Sequence, residues 1–107
     1  MSTEELVRWT RGAGYVVAHV TGELDLATAE PTFAAIAATR PDGGRLILDL
    51  SAVEFMDSTA LGHLVGFSPD EEIRLVAPDG SAPRRVLEIT QLTGRFPTFE
   101  TVADATT

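Results

Sequence analysis

Three adjacent residues carry the chemistry that this sequence suggests most directly: the carboxylate of Asp57 and the hydroxyls of Ser58 and Thr59. They follow an apolar run at 46–50, which is typical of a strand buried on both faces. They precede apolar residues within 61–65 at i, i+3 and i+4 spacing, which predicts the buried side of a helix. The hydroxyls therefore lie in the first turn of a predicted helix, where free backbone N–H groups and the helix dipole favour a phosphate.

A simpler structural role competes with this interpretation. Asp57 and Ser58 are both common N-cap residues, and a residue at a helix start caps the N–H groups more often than it reacts. The spacing alone leaves open whether Ser58 accepts a phosphate or only caps the helix.

A longer segment around these residues resembles a known family. Residues 49–62 read DLSAVEFMDSTALG, which resembles the signature of the STAS domain and, more narrowly, of the bacterial anti-sigma factor antagonists. The resemblance covers nearly the whole chain, since RRVLEITQLTG at 84–94 and Phe96-Pro97 are also similar to the family. It implies that the partner anti-sigma factor, a serine protein kinase of the histidine-kinase-like ATPase type, phosphorylates Ser58. It also implies a separate serine phosphatase that removes the phosphate.

The hydrophobic pattern predicts an α/β fold, and the resemblance makes 1–107 a single STAS domain. Strands are predicted at 6–11, 15–20, 46–50 and 73–77, helices at 28–39, from 58 and from 81 to a stop at Gly94, and a last short strand within 96–102. The order β-β-α-β-α-β-α gives a STAS-like mixed sheet of four to five strands with about three helices on one side. The tail at 103–107 is expected to be frayed.

Two departures from the family bear on partner binding. Ala60 stands where the family usually has Gly, which is a mild change within a helix. The segment from Gly66 to Ile73 is shorter than the family's by roughly two to three helical turns, because Pro69 and the acidic residues at 70–72 cut the second helix short. In the family this helix forms part of the face that the anti-sigma factor covers. The shortened second helix therefore bears on which partner binds.

Chain topology places a second carboxylate beside the first. The predicted helix at 28–39 has the length of a βαβ crossover, so the strands before and after it should be parallel and adjacent. The carboxyl ends of parallel strands gather at one edge of the sheet, which brings Asp25 to the edge of Asp57 and Ser58. The resemblance agrees, because a G-x-x-D loop ending at Asp25 lies beside the phosphoserine in the family. The alternative is that Glu23 and Asp25 only form a turn and favour the next helix start.

Composition excludes several classes of protein. The formal net charge is −8, from sixteen acidic and eight basic residues, which disfavours nucleic acid or an anionic membrane as a partner. It favours a basic protein surface as a partner, or it serves only to keep the protein soluble. There is no cysteine, no apolar run of membrane-spanning length and no signal peptide at the start of the chain. These features predict a cytoplasmic globular protein.

An enzyme is a weak interpretation of this sequence. Ser58 and His63 are five residues apart, about 140° around a helix, so they should face different ways. His19 is expected on the less buried face of its strand, as a lone histidine without a partner that would give it a mechanism.

No metal or cofactor is expected either. Asp25, Asp49 and Asp57 are carboxylates of the kind that hold Mg²⁺, but Asp49 lies within a predicted buried strand. The sequence has no Walker loop, dinucleotide fingerprint or G-x-S-x-G elbow.

The sequence and the resemblance together predict a binding protein controlled by phosphorylation. Unmodified, it would bind the anti-sigma factor and so release a sigma factor, and phosphorylation of Ser58 would end the binding. Asp57 and Asp25 are expected to position the hydroxyl or to contact the kinase. Glu23 and Thr59 complete the binding surface. Thr59 is either only a neighbour of Ser58 in the first turn or a back-up acceptor, with Ser58 favoured by its place in the motif.

A second function stays open. STAS domains also occur as scaffolds that are not phosphorylated, or as accessory subunits of signalling or lipid-transport complexes. The shortened segment at 66–73 fits that role somewhat better. Phe55 and Met56 are expected in the core rather than on a partner surface.

Overall fold

The computed structural model describes residues 6–67 and 71–107. Its elements in chain order are β1 (Val7–Gly12), β2 (Tyr15–Leu24), α1 (Ala29–Thr39), β3 (Arg45–Met56), α2 (Ser58–Phe67), β4 (Arg74–Val76), α3 (Ala82–Ile89), β5 (Thr98–Phe99) and α4 (Val102–Ala105). The predicted order is confirmed, including the short last strand, and a fourth short helix follows it. None of the helices in these two ranges is long and apolar enough to cross a membrane.

The five strands form one mixed sheet in sequence order. β1 and β2 pair antiparallel, and the β2–β3, β3–β4 and β4–β5 pairs are parallel. The prediction that the second and third strands are parallel neighbours across a helical crossover is confirmed. The carboxyl ends of β2 and β3 therefore lie at the same edge of the sheet.

The main core lies between one face of the sheet and helices α1, α2 and α3. Its buried side chains include Val16, Val20, Leu46, Leu48, Phe33, Ile36, Leu61, Leu64 and Leu87. Burying each large aliphatic side chain contributes about 1.5–3 kcal/mol relative to leaving it exposed, so this layer holds the three helices on the sheet.

The opposite face of the sheet is partly covered by the C-terminal segment, which contradicts the prediction of a frayed tail at 103–107. The Thr101 hydroxyl caps α4 by accepting a hydrogen bond from the Asp104 N–H at 3.1 Å. Ala105 is fully buried in a small second cluster with Val17, Ile47 and Val76. A helix of four residues leaves almost no periodic pattern in the sequence, and its stability comes from this packing.

The third predicted helix ends earlier than its sequence pattern suggests. α3 ends at Ile89 rather than at Gly94. Gln91 follows in the left-handed region with φ 61°, and the Leu92 N–H donates to the Leu87 carbonyl at 2.9 Å. This is the backbone arrangement that usually ends a helix, and here it occurs without a glycine. Ile89, the last residue of α3, is exposed.

β3 is longer than the predicted 46–50 because two bulges let it continue beside β2. His19 pairs with Asp49, but Thr21 pairs with Ala52, so β3 contains one extra residue between the two pairs. A second extra residue, Glu54, lies before the pair of Leu24 with Met56. Each bulge turns the following side chains by one position, and the buried residues of this half of β3 are therefore 50, 53 and 56.

Candidate functional site

The candidate site lies where β2 and β3 end together. Leu24 pairs with Met56, and the Asp57 N–H donates to the Leu24 carbonyl at 3.1 Å. This bond joins the loop that contains Asp25 directly to the start of α2. The edge inferred from topology, with Asp25 on one side and Asp57-Ser58 on the other, is thus present in the structure.

At the start of α2, the cap of the helix and the candidate phosphate acceptor are two different residues. Asp57 is the N-cap, because its Oδ1 accepts a hydrogen bond from the Ala60 N–H at 3.0 Å and its carbonyl accepts one from the Leu61 N–H at 3.3 Å. Ser58 is the first helical residue and is exposed. Its hydroxyl makes no hydrogen bond to any residue in 6–67 or 71–107. Thr59 follows, half-buried.

Asp25 is held by the loop that it begins. Its Oδ1 accepts hydrogen bonds from the N–H of Ala27 at 2.9 Å and from the N–H of Thr28 at 3.0 Å. The hydrogen bond with the Thr28 hydroxyl, at 3.0 Å, is the largest influence on the pKa of the Asp25 carboxyl and lowers it, with the loop N–H groups acting in the same direction against a smaller desolvation effect. Asp25 is therefore a fixed negative charge at neutral pH, and it also shapes the turn into α1.

Exposed apolar side chains flank these carboxylates. Leu26, next to Asp25, is 78% exposed, and Phe55 is 47% exposed. Phe55 pairs with Glu23, which is also exposed, so an acidic and an aromatic side chain lie together on the rim. The prediction that Phe55 packs in the core is wrong, because the second bulge turns it outward. The same prediction is confirmed for Met56, which is buried.

An open groove lies between α1 and α2, on the helix face that also carries Ser58. Gly62 and Gly66 follow Ser58 at intervals of four residues, so the three share one face of α2. The groove has a volume of about 450 Å³ and is lined by Glu30, Phe33, Ala34, Ala37, Gly62, His63, Gly66 and Phe67. His63 stacks on Phe33, with 6.3 Å between ring centroids, so its ring packs against the wall of this groove.

A second polar cluster, on the sheet face opposite α1–α3, was missed by the sequence reasoning. Thr10 Oγ1 lies 2.7 Å from His19 Nε2, and His19 Nδ1 lies 2.7 Å from Asp49 Oδ2. Ser51 donates to Asp49 Oδ1 from its hydroxyl at 2.6 Å and from its N–H at 3.0 Å. We call these four residues the polar row. The prediction of a lone His19 is wrong.

The polar row has a clear local cause. The first bulge of β3 frees the Ser51 N–H from the ladder between the strands, and the Asp49 carboxylate accepts it. Burial raises the pKa of Asp49, but its hydrogen bonds with Ser51 and then His19 outweigh this effect and lower the pKa overall. The signal in the sequence was the parallel pairing of β2 with β3, which places His19 opposite Asp49 once the register is known.

Metal ligation finds no support in the described parts of the chain. No group of three or more His, Asp or Glu side chains there could hold a metal ion. Asp49 lies in the polar row, on the sheet face opposite α1–α3, whereas Asp25 and Asp57 lie in the loops that follow β2 and β3. The three carboxylates considered from the sequence therefore do not form one site.

Comparison with known proteins agrees with this architecture. The family model of the STAS domain matches residues 7–105. The chain belongs to the STAS domain family. The family membership expected from residues 49–62 is thereby confirmed.

Two relatives of this STAS domain are anti-sigma factor antagonists. It is 35% identical over 100 residues to the anti-sigma-F factor antagonist RsfB of Mycobacterium tuberculosis, a match that covers 88% of this chain and 80% of that protein. The crystal structure of an anti-sigma factor antagonist from Mycobacterium paratuberculosis is 34% identical, with a TM-score of 0.82 over 94% of this chain and 89% of that one.

A more distant structure shares the fold. The unphosphorylated form of the anti-sigma factor antagonist SpoIIAA is 21% identical, with a TM-score of 0.67 over 94% of this STAS domain and 92% of that chain. The predicted α/β architecture is confirmed by these neighbours. Anti-sigma factor antagonists are generally not enzymes.

Proposed function

We propose that this STAS domain is an anti-sigma factor antagonist that is switched off by phosphorylation of Ser58. Unmodified, it binds a kinase-type anti-sigma factor, which then releases its sigma factor in the cytoplasm. The observation that carries the proposal is the Ser58 hydroxyl, which is exposed at the start of α2 and unbonded to the described residues, while Asp57 holds the helix start. The similarity to anti-sigma factor antagonists supports it.

The binding surface is the edge described above. It consists of Glu23, Asp25, Asp57, Ser58 and Thr59. Its carboxylates suit a basic patch on the partner, in keeping with a net charge of −8. The exposed side chains of Leu26 and Phe55 add apolar area to the same rim. Burying such side chains at an interface supplies affinity, and the charges supply orientation and association rate.

Phosphoryl transfer needs little from this chain beyond position. The Ser58 oxygen attacks the terminal phosphorus of ATP, ADP leaves, and the kinase supplies the metal ion and the group that receives the hydroxyl proton. Asp57 contributes by fixing the first turn of α2, and therefore the direction of the Ser58 side chain. Thr59 is half-buried one residue later, which makes it the poorer acceptor.

Electrostatics explain why the phosphate ends the binding. A phosphoserine adds about −1.5 to −2 charge. One unit charge at ~6 Å from another costs roughly 3 kcal/mol at an effective dielectric of 20. The N-terminus of α2 returns about 0.5–1 kcal/mol. The folded protein therefore accommodates the phosphate despite the repulsion from nearby carboxylates. The added bulk and negative charge exclude the partner, and no refolding is needed. A separate serine phosphatase resets it.

A second candidate is a STAS scaffold, or accessory subunit of a signalling or lipid-transport complex, that is never phosphorylated. The observation in its favour is that Asp25 and Asp57 both accept hydrogen bonds from backbone N–H groups. The two carboxylates can therefore be explained by the turns into α1 and α2 alone. The shortened segment at 66–73 belongs to the same argument, although residues 68–70 lie outside the described ranges.

The test is a phosphorylation assay with intact mass as the readout. The purified protein is incubated with ATP and each candidate kinase-type anti-sigma factor, beside Ser58→Ala and Thr59→Val. The proposal predicts a gain of one phosphate that is lost in Ser58→Ala and kept in Thr59→Val, and weaker partner binding after the gain. Stable binding to such a partner without any phosphate would instead establish the scaffold.

A further inference from the structure

The polar row contains a hydroxyl with its own base, at a place unrelated to Ser58. Thr10, His19 and Asp49 stand on three neighbouring strands, and each lies 2.7 Å from the next. Because the strands pair along their length, the three side chains are held by the sheet rather than by loops.

The chemistry of the row fixes the direction of its protons. The Asp49 carboxylate accepts hydrogens only, so Nδ1 of the His19 ring carries a hydrogen and donates it. In the neutral ring Nε2 then has a free lone pair, and the Thr10 hydroxyl donates to it. A hydroxyl, an imidazole and a carboxylate in this sequence of hydrogen bonds form the arrangement that activates a nucleophile in hydrolases.

Burial and support fit the same role. His19 and Asp49 are 14% and 13% exposed, whereas Thr10 is exposed. The base is therefore shielded from water and the nucleophile is open to it. Ser51 occupies the second oxygen of Asp49 with two hydrogen bonds, which fixes the carboxylate in place.

A positive charge lies beside the Thr10 hydroxyl. Arg8 lies two residues earlier on β1, on the same face, and pairs with His19 across the strands, so it brings a positive charge to the row.

We propose that Thr10 is a reactive hydroxyl that accepts an acyl group from activated carbonyl compounds, such as aryl esters and acyl phosphates. Thr10 Oγ1 attacks the carbonyl carbon while its proton passes to His19 Nε2. The bond from the carbonyl carbon to the leaving oxygen then breaks, and that oxygen departs as a phenolate or phosphate, or takes the proton from His19. The products are an ester on Thr10 and the leaving group. This reaction uses no part of the Ser58 edge and goes beyond the proposed function.

The test uses p-nitrophenyl acetate on the full chain, with the modified residue located by peptide mass mapping. The sequence contains no lysine, so side-chain amines do not compete for the acetyl group. We expect one acetyl group on Thr10, none in Thr10→Val, and labelling of Thr10 about a hundredfold slower in His19→Gln. Thr10→Ser should keep the reaction. Thr93→Val, which changes an exposed threonine outside the row, should leave the rate unchanged.

Asp49 is a positioning residue in this scheme, and a spectroscopic measurement separates that role from a structural one. In Asp49→Asn the His19 ring can shift its hydrogen from Nδ1 to Nε2, which ¹⁵N chemical shifts detect directly, and the labelling should slow with that shift. Circular dichroism tests whether each variant is folded. If His19→Gln is not folded, the rate comparison uses Asp49→Asn in its place. Absence of label on Thr10 in the wild type, or an equal rate in the folded base variant, would overturn the proposal.

Discussion

The two polar sites of this STAS domain use the same residue types in opposite ways. At the Ser58 edge, the carboxylates of Asp25 and Asp57 accept hydrogen bonds from backbone N–H groups, Asp25 also from the Thr28 hydroxyl, and the Ser58 hydroxyl is exposed. In the polar row, the carboxylate is bonded to a histidine and a serine, and the Thr10 hydroxyl is bonded to that histidine. The proposed phosphorylation of Ser58 depends on a partner kinase, whereas the proposed reaction of Thr10 uses His19 of the same chain as the base.

The difference teaches that the neighbour of a carboxylate decides its function. A carboxylate at a helix start stabilises backbone and leaves nothing to activate the hydroxyl beside it. A carboxylate facing a histidine across two strands orders that ring and, through it, the next hydroxyl. Measurements on the two sites should therefore give effects of different size and different origin.

The largest effect is expected from Asp49→Ala. The substitution removes the acceptor of His19 Nδ1 in a mostly buried place and the acceptor of the exposed Ser51 N–H. The loss at His19 should lower the free energy of unfolding by about 2 kcal/mol. Denaturant unfolding measures it, with Asp42→Ala, an exposed aspartate in the turn before β3, as the matched control. A loss no larger than that of the control would show that the row adds nothing to stability.

A smaller effect is expected from Asp57→Ala. Loss of the N-cap of α2 should cost about 1 kcal/mol, and Asp57→Ser should recover most of it, because a hydroxyl oxygen also caps. Thermal unfolding of the three proteins gives the comparison. Equal melting temperatures for Asp57→Ala and the wild type would mean that Asp57 serves only the partner.

The pH dependence of stability should differ between the wild type and Asp49→Asn. The folded pKa of Asp49 is lowered, so its contribution is complete above the unfolded pKa of about 3.9 and is lost as pH falls through the lower folded value. The stability difference between the two proteins should thus shrink below about pH 4. Unfolding free energies measured from neutral pH downwards test this, and a constant difference would contradict it.

The smallest effect on stability is expected from Ser58→Ala, within about 0.5 kcal/mol, because the hydroxyl has no bond to the described residues and is exposed. The same unfolding assay measures it. A near-zero change here, together with loss of phosphorylation, would separate the acceptor from the cap completely. A cost equal to that of Asp57→Ala would make Ser58 a structural residue.

Local patterns in the sequence were enough to predict that Asp25 and Asp57 lie at the same edge of the sheet. The apolar run of β3, the helical spacing after Ser58 and the crossover length of α1 together placed Asp25 beside Asp57. These signals lie within a few residues of the features that they predict, and the parallel pairing follows from chain direction alone.

Features that depend on contacts between residues far apart in the chain could not be predicted from the sequence. The His19–Asp49 pair joins residues thirty positions apart and needs the strand register, which no local pattern contains. α4 is held by the packing of Ala105 on Val17 and Ile47, from two other elements. Phe55 was misplaced because a bulge cannot be read from alternation, and its exposed ring was therefore taken for core.

The two bulges of β3 also determine where this chain can change in length. Removing the extra residue of a bulge would restore a regular ladder and leave every later pair, including Leu24 with Met56, in its present register. Removing a residue from 45–49 would instead exchange inward and outward side chains along the strand, unless a bulge straightened to absorb the loss. Related sequences should therefore gain and lose single residues at 50–55, while the start of α2 stays where it is.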